Sequence, residues 1–130
     1  MNELVGAWRL AAAQFLFADG GAADLYGGPA EGRVLFTADG WMSVVITSAG
    51  APAADGGGAP VTVAYSGRYR TETGRFITAV DVASVPPWVG TEQIREYEVA
   101  GDELSMVLGM PVHPSYPDRP GRGKLSWKRE

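Results

Sequence analysis

The chain has 130 residues, no cysteine and one histidine, and its 11 Lys and Arg against 15 Asp and Glu give a formal net charge of -4. That length fits one domain over residues 1–130, with a real core but no room for a second. The acidic balance excludes a general phosphate-backbone binder, and with it a nucleic-acid partner. The missing cysteines exclude a disulfide framework, a thiolate nucleophile and a Cys-based zinc site.

Gly 18 and Pro 9 punctuate runs of alternating residues, which predicts many short antiparallel strands. The first strand is expected over residues 4–17, "LVGAWRLAAAQFLF", with Trp8, Leu10, Ala12, Gln14 and Leu16 on one face and a turn at Asp19-Gly20. A loop through "LYGGPAEG" leads to "RVLFT", a hairpin turn at Asp39-Gly40, and "WMSVVIT". The small-residue segment 48–60, "SAGAPAADGGGAP", reads as a mobile loop. Strands resume as "VAYSGRYRTE" and "RFITAVDVAS", the second halted at Pro86-Pro87 because proline lacks the ladder donor.

The next stretch, "WVGTEQIREYEV" (88–99), carries charges that suit a helix face, yet a helix there would last only about two turns. As a strand it forms a hairpin with "ELSMVLGM", sending Glu96 and Glu98 to water and Gln93, Arg95, Tyr97 and Val99 inward. A Pro-rich loop over 111–121 precedes the last strand, "KLSWKRE". About eight strands with hairpin-length links predict an all-β, closed up-and-down antiparallel barrel. No run approaches the roughly 18 apolar residues of a membrane span. "MNELVGAWRL" lacks the basic-then-apolar order of a signal peptide, so a cytoplasmic domain with no membrane contact is expected.

"LVGAWRL", "GRVLFTADGWMSV", "YSGRY", "WVGTEQIREYEVAGDELSM" and "LSWKRE" occur in that order. Together they resemble the bacterial lipocalin-like domain family over nearly the whole chain, except the 48–60 and 111–121 loops. The resemblance implies a calycin-type barrel with an internal cavity. Related small barrels range from carriers to cyclases. Members of that family carry histidines in the strand after Tyr-x-Gly-x-Tyr, where this chain has Thr78-Ala79, which marks Thr78 as a departure at a ligand-facing position. The pair of Trp8 with Arg129 resembles a lipocalin's bottom Trp and last-strand Arg, a fold-closing role.

One histidine, His113, and no carboxylate cluster with ligand spacing leave no metal site, and no cofactor is expected. "DGGGAP" lacks the Lys-Ser/Thr of a phosphate loop, and no Gly-x-Ser-x-Gly elbow exists. Arg95 is the sharpest candidate. Its fork suits a ligand carboxylate or carbonyl, or else a structural acid, and both roles stay open. Tyr65, Tyr69 and Tyr97 fall inward by the same alternation, each an apolar ring tipped with a hydroxyl. With Gln14, Gln93 and Arg95 they are too polar for a packed core, which favours a cavity. Met42 and Met106, with Met110, offer an adaptable lining.

The expected ligand set is therefore Gln14, Met42, Tyr65, Tyr69, Thr78, Gln93, Arg95, Tyr97 and Met106. The expected function is binding of a small, largely apolar molecule, with the 48–60 and 111–121 loops as lids. The alternative is a metal-free cyclase or isomerase acting on a polyketide-like natural-product intermediate, with Arg95, Tyr97 and Tyr69 as catalytic residues. Whether the chain is an enzyme stays open, and a homodimer is compatible with such a barrel.

Overall fold

The computed structural model describes residues 2–48, 61–109, 112–113 and 116–130, with the backbone alone at 112 and 113. The strands are β1 (Gly6–Phe17), β2 (Ala22–Asp24), β3 (Ala30–Phe36), β4 (Trp41–Ser48), β5 (Val61–Glu72), β6 (Arg75–Ala83), β7 (Glu92–Ala100), β8 (Glu103–Leu108), β9 (Val112–His113) and β10 (Tyr116–Arg129). β1, β3, β4, β5, β6, β7, β8 and β10 pair antiparallel in that order, and β10 returns to β1, closing an eight-stranded barrel. The short β2 and β9 lie beside it, on β1 and β10. Closure leaves the barrel wall without a free edge, and eight strands enclose an interior that side chains can fill or one small ligand can share.

Alternation decides what fills it. Val34 and Phe36 of β3, Met42, Val44 and Ile46 of β4, and Leu125 and Trp127 of β10 are all buried. Each such side chain contributes about 1.5–3 kcal/mol by leaving water. β7 is a strand, as its alternation predicts. Gln93, Arg95, Tyr97 and Val99 are half-buried, while Glu92, Ile94, Glu96 and Glu98 are exposed.

β1 departs from the expected phase. Its register with β10 slips between Leu10 and Ala12, so Ala11 is an extra, exposed residue in the strand. Beyond this bulge the inward row becomes Ala13, Phe15 and Phe17, opposite Leu125, Gly123 and Gly121. Gln14 thus moves to the outer face, between Asp24 and Lys124, and the expectation that it faces inward is corrected. A bulge shifts a period-two pattern by one, and the run of alanines at 11–13 gives no apolar contrast to reveal it.

The second half of the 111–121 loop is also corrected, since β10 begins at Tyr116 rather than near Lys124. Pro120 lacks an N–H but keeps its carbonyl, which accepts from Ala18 N at 2.8 Å, so the strand continues where only an acceptor is required. The loop over 48–60 lies outside the described residues apart from Ser48, which ends β4. Met110 and the side chain of His113 lie outside them as well.

One end of the barrel is stitched shut by residues 2–5. Trp8 is fully buried, and its indole N–H donates to Leu4 O at 2.9 Å. The Arg129 guanidinium lies 4.0 Å from the centre of the Trp8 ring and donates to Val5 O at 3.1 Å and Glu3 O at 3.0 Å. At the same end Tyr69 Oη accepts from Asn2 Nδ2 and donates to Thr37 O, both at 3.0 Å.

Candidate functional site

Within the barrel the core is incomplete. A cavity of about 40 Å³ is walled by apolar side chains, among them Met42, Val44, Ile46, Phe76, Met106 and Leu108. Four polar side chains join them: Tyr26, Tyr65, Arg95 and Trp127. One water needs roughly 10–15 Å³ of such space, whereas pockets for drug-sized ligands span about 300–1,000 Å³. The cavity as it stands holds a few non-hydrogen atoms, and a larger occupant must push side chains aside. Met42 and Met106, unbranched and polarizable, are the lining residues best able to yield.

Arg95 is held from its own strand. Nη1 donates to Ile94 O at 2.9 Å, and Nη2 donates to Gln93 Oε1 at 3.2 Å. A guanidinium has five N–H donors, so these two bonds and a further one to Tyr65 orient the fork without exhausting it. Its charge stands close enough to the Tyr26 and Tyr65 hydroxyls to act on both. Burial pushes the Tyr65 phenol above its ordinary pKa, and the neighbouring Arg95, by charge and by a hydrogen bond, draws it part of the way back. Tyr26 behaves similarly: burial raises it, Arg95 lowers it and Tyr65 raises it. Both are therefore neutral phenols at ordinary pH. The Tyr65 ring is steadied by an edge-on contact with Trp88, 6.0 Å between centroids.

Of the predicted ligand set, the structure brings Met42, Tyr65, Arg95 and Met106 together around the cavity, with Gln93 bonded to Arg95. Tyr69 and Tyr97, expected to be catalytic, do not line it. Tyr69 is tied to Asn2 and Thr37, while Tyr97 packs on Phe76 and lies near Glu3, which helps to raise its pKa after burial does. They face inward as the alternation predicts, but at a level of the barrel taken up by the N-terminal segment.

Thr78 is fully buried, outside the cavity lining, and its hydroxyl has no hydrogen-bond partner among the described residues. A buried unsatisfied hydroxyl costs about 1–3 kcal/mol. Thr78→Val, which keeps the shape, should leave the urea midpoint unchanged or raise stability by about 1 kcal/mol.

Two residues of the cavity wall, Tyr26 and Trp127, lie outside the predicted ligand set. Tyr26 sits in the "LYGGPAEG" segment, read as a plain loop; that segment is anchored by Leu25, 4% exposed, whose N–H donates to Ala13 O at 3.0 Å. An apolar Leu-Tyr pair inside a Gly-Pro stretch was the signal. Trp127 shares the inward phase of Leu125, a signal that the alternation of "KLSWKRE" carries.

The tyrosines make a pH prediction. Tyr26, Tyr65, Tyr69 and Tyr97 all have raised pKa values in the folded chain, so the unfolded chain loses phenolic protons first. Stability should be flat up to about pH 10 and fall as pH climbs beyond it. Urea midpoints measured between roughly pH 8 and pH 11 check this sign.

Among the described residues, no helix is long and apolar enough to cross a membrane, and no three His, Cys, Asp or Glu side chains gather to hold a metal ion.

A closed eight-stranded antiparallel barrel with a small, mostly apolar interior cavity defines a lipocalin-like architecture. The model of the lipocalin-like domain matches residues 5–130, and the chain belongs to that family. It is similar to the crystal structure of a lipocalin-like protein from Bacteroides uniformis, at 15% identity and a TM-score of 0.50, over 99% of this chain and 100% of that one. No curated protein matches it.

Proposed function

We propose that this chain binds a small, largely apolar molecule inside the barrel, oriented by Arg95 with the hydroxyls of Tyr65 and Tyr26. Lipocalin-type barrels commonly hold one small ligand in this place. The observation that carries the reading is the set of Arg95, Tyr26 and Tyr65 on the wall of an otherwise apolar cavity. Gln93 acts at one remove, fixing the guanidinium. Titration with hexan-1-ol, followed by calorimetry, tests it. A cavity-filling Val44→Phe should abolish binding. Arg95→Ala, losing a charged hydrogen bond, should weaken it about tenfold. Gln14→Ala and Tyr97→Phe, both outside the cavity, should bind as the parent does. Folded Val44→Phe and Arg95→Ala variants that bind unchanged would refute the site.

A second reading, a metal-free cyclase or isomerase acting on a polyketide-like intermediate, draws on one specific feature. Tyr65 stays protonated beside Arg95, and such a donor pair can polarise a carbonyl while the apolar wall holds a reactive chain folded. On that reading Tyr65→Phe keeps binding and loses turnover of a poly-β-carbonyl substrate.

A further inference from the structure

The polar wall of the cavity is rich in donors. Among the described residues, Tyr26, Tyr65, Arg95 and Trp127 are the lining residues with N–H or O–H groups in their side chains, and none of the described lining residues is an acid, an amide or an imidazole. Arg and Trp side chains donate and never accept. The two phenols keep their protons.

Trp127 adds the sharper observation. It is 1% exposed, and its indole N–H meets no acceptor among the described residues, although a buried orphan donor costs about 1–3 kcal/mol. Trp8 makes the contrast, because its equally buried N–H is satisfied by Leu4 O.

Charge points the same way. Arg129 lies 3.9 Å from Asp102, and Arg119 pairs with Asp19 at 3.0 Å. Arg95, half-buried on the cavity wall, takes part in no ion pair among the described residues. A cation partly withdrawn from water calls for a counter-charge, and a guanidinium fork matches a carboxylate in both charge and shape. With a net charge of -4 the chain as a whole repels anions, so the attraction has to be local.

We infer that the occupant is an apolar molecule ending in a carboxylate held by Arg95, and that Trp127 is a further binding residue whose indole N–H donates to an acceptor on that molecule. This rests on the barrel cavity being the binding site. The small cavity favours short chains, so hexanoate is the probe and hexan-1-ol its neutral counterpart.

In calorimetric titrations at neutral pH, hexanoate should bind at least about tenfold more tightly than hexan-1-ol. Arg95→Gln should erase that preference. Binding of hexanoate should weaken as pH falls through the range of its own carboxyl, about 4–5. In the wild-type protein the assigned Trp127 indole N–H resonance should move downfield as hexanoate saturates the site, which needs no variant to fold. Hexan-1-ol binding as tightly as hexanoate would overturn the carboxylate assignment and leave the cavity reading intact. Binding of neither would overturn both. A Trp127 resonance that stays fixed while hexanoate binds would remove Trp127 from the site.

Discussion

Trp8→Ala should lower the unfolding free energy by about 3–5 kcal/mol, the largest loss expected from any single side chain here. Trp8 is fully buried, so the substitution removes a large apolar surface and leaves a cavity behind it. Two further contacts go with the ring. Leu4 O loses its indole donor, and Arg129 loses the aromatic face 4.0 Å away, worth about 0.5–2 kcal/mol. These contacts bind residues 2–5 to the first and last strands, so the closed end of the barrel loosens as a unit. A domain stable by about 5–15 kcal/mol would be left marginal. Urea unfolding of Trp8→Ala against Trp41→Ala, whose ring is 37% exposed on the outer wall, separates burial from mere loss of an indole. A loss under about 1 kcal/mol for Trp8→Ala would show that this end carries no weight.

Gly67→Ala should cost about 3 kcal/mol, at the upper end of what overpacking usually costs. A Cβ at Gly67 would overlap the carbonyl oxygen of Ala79 on β6 and press on the Val80 backbone. These are main-chain atoms, which cannot swing aside as the tip of a side chain can. The β5–β6 register also slips between Ser66 and Gly67, so the glycine sits where the two strands crowd together at a bulge. Gly109→Ala is the control: nothing among the described residues lies within 4 Å of its added Cβ, and its effect should fall within about 0.5 kcal/mol. Equal urea midpoints for the two variants would mean that β6 yields freely at this point.

The same crowding gives the glycine of "YSGRY" a structural reason. Strand number, the hairpin at Asp39-Gly40 and the inward row of β7 all follow from period-two alternation and turn chemistry, which are local properties. Gly40 has φ 99, a conformation other residues seldom adopt, so the "ADG" turn announces itself. The misreadings come from features that the pattern does not carry. The bulge at Ala11 reverses the phase of β1 among alanines, and so Gln14 was expected inside. Tyr69 and Tyr97 have the right face but the wrong depth, because which residues plug which end is decided by the N-terminal segment, far away in sequence. Tyr26 reaches the cavity from a segment whose glycines and proline mark it as loop, and loop composition says nothing about which side chain is turned inward. Arg95 is legible as an inward cation because both its face and its charge are local properties. Its neighbours in space, Tyr26 and Tyr65, are brought to it only by closure of the barrel.

Two methionine methyl groups report directly on whether a ligand enters the barrel. Met42 and Met106 both line the cavity. In methyl-labelled protein titrated with hexanoate, their resonances should shift together and saturate along one binding curve, with the Trp127 indole N–H following it. If hexanoate binds while both methyl groups stay where they were, the ligand is held elsewhere and the barrel interior is packing rather than a site.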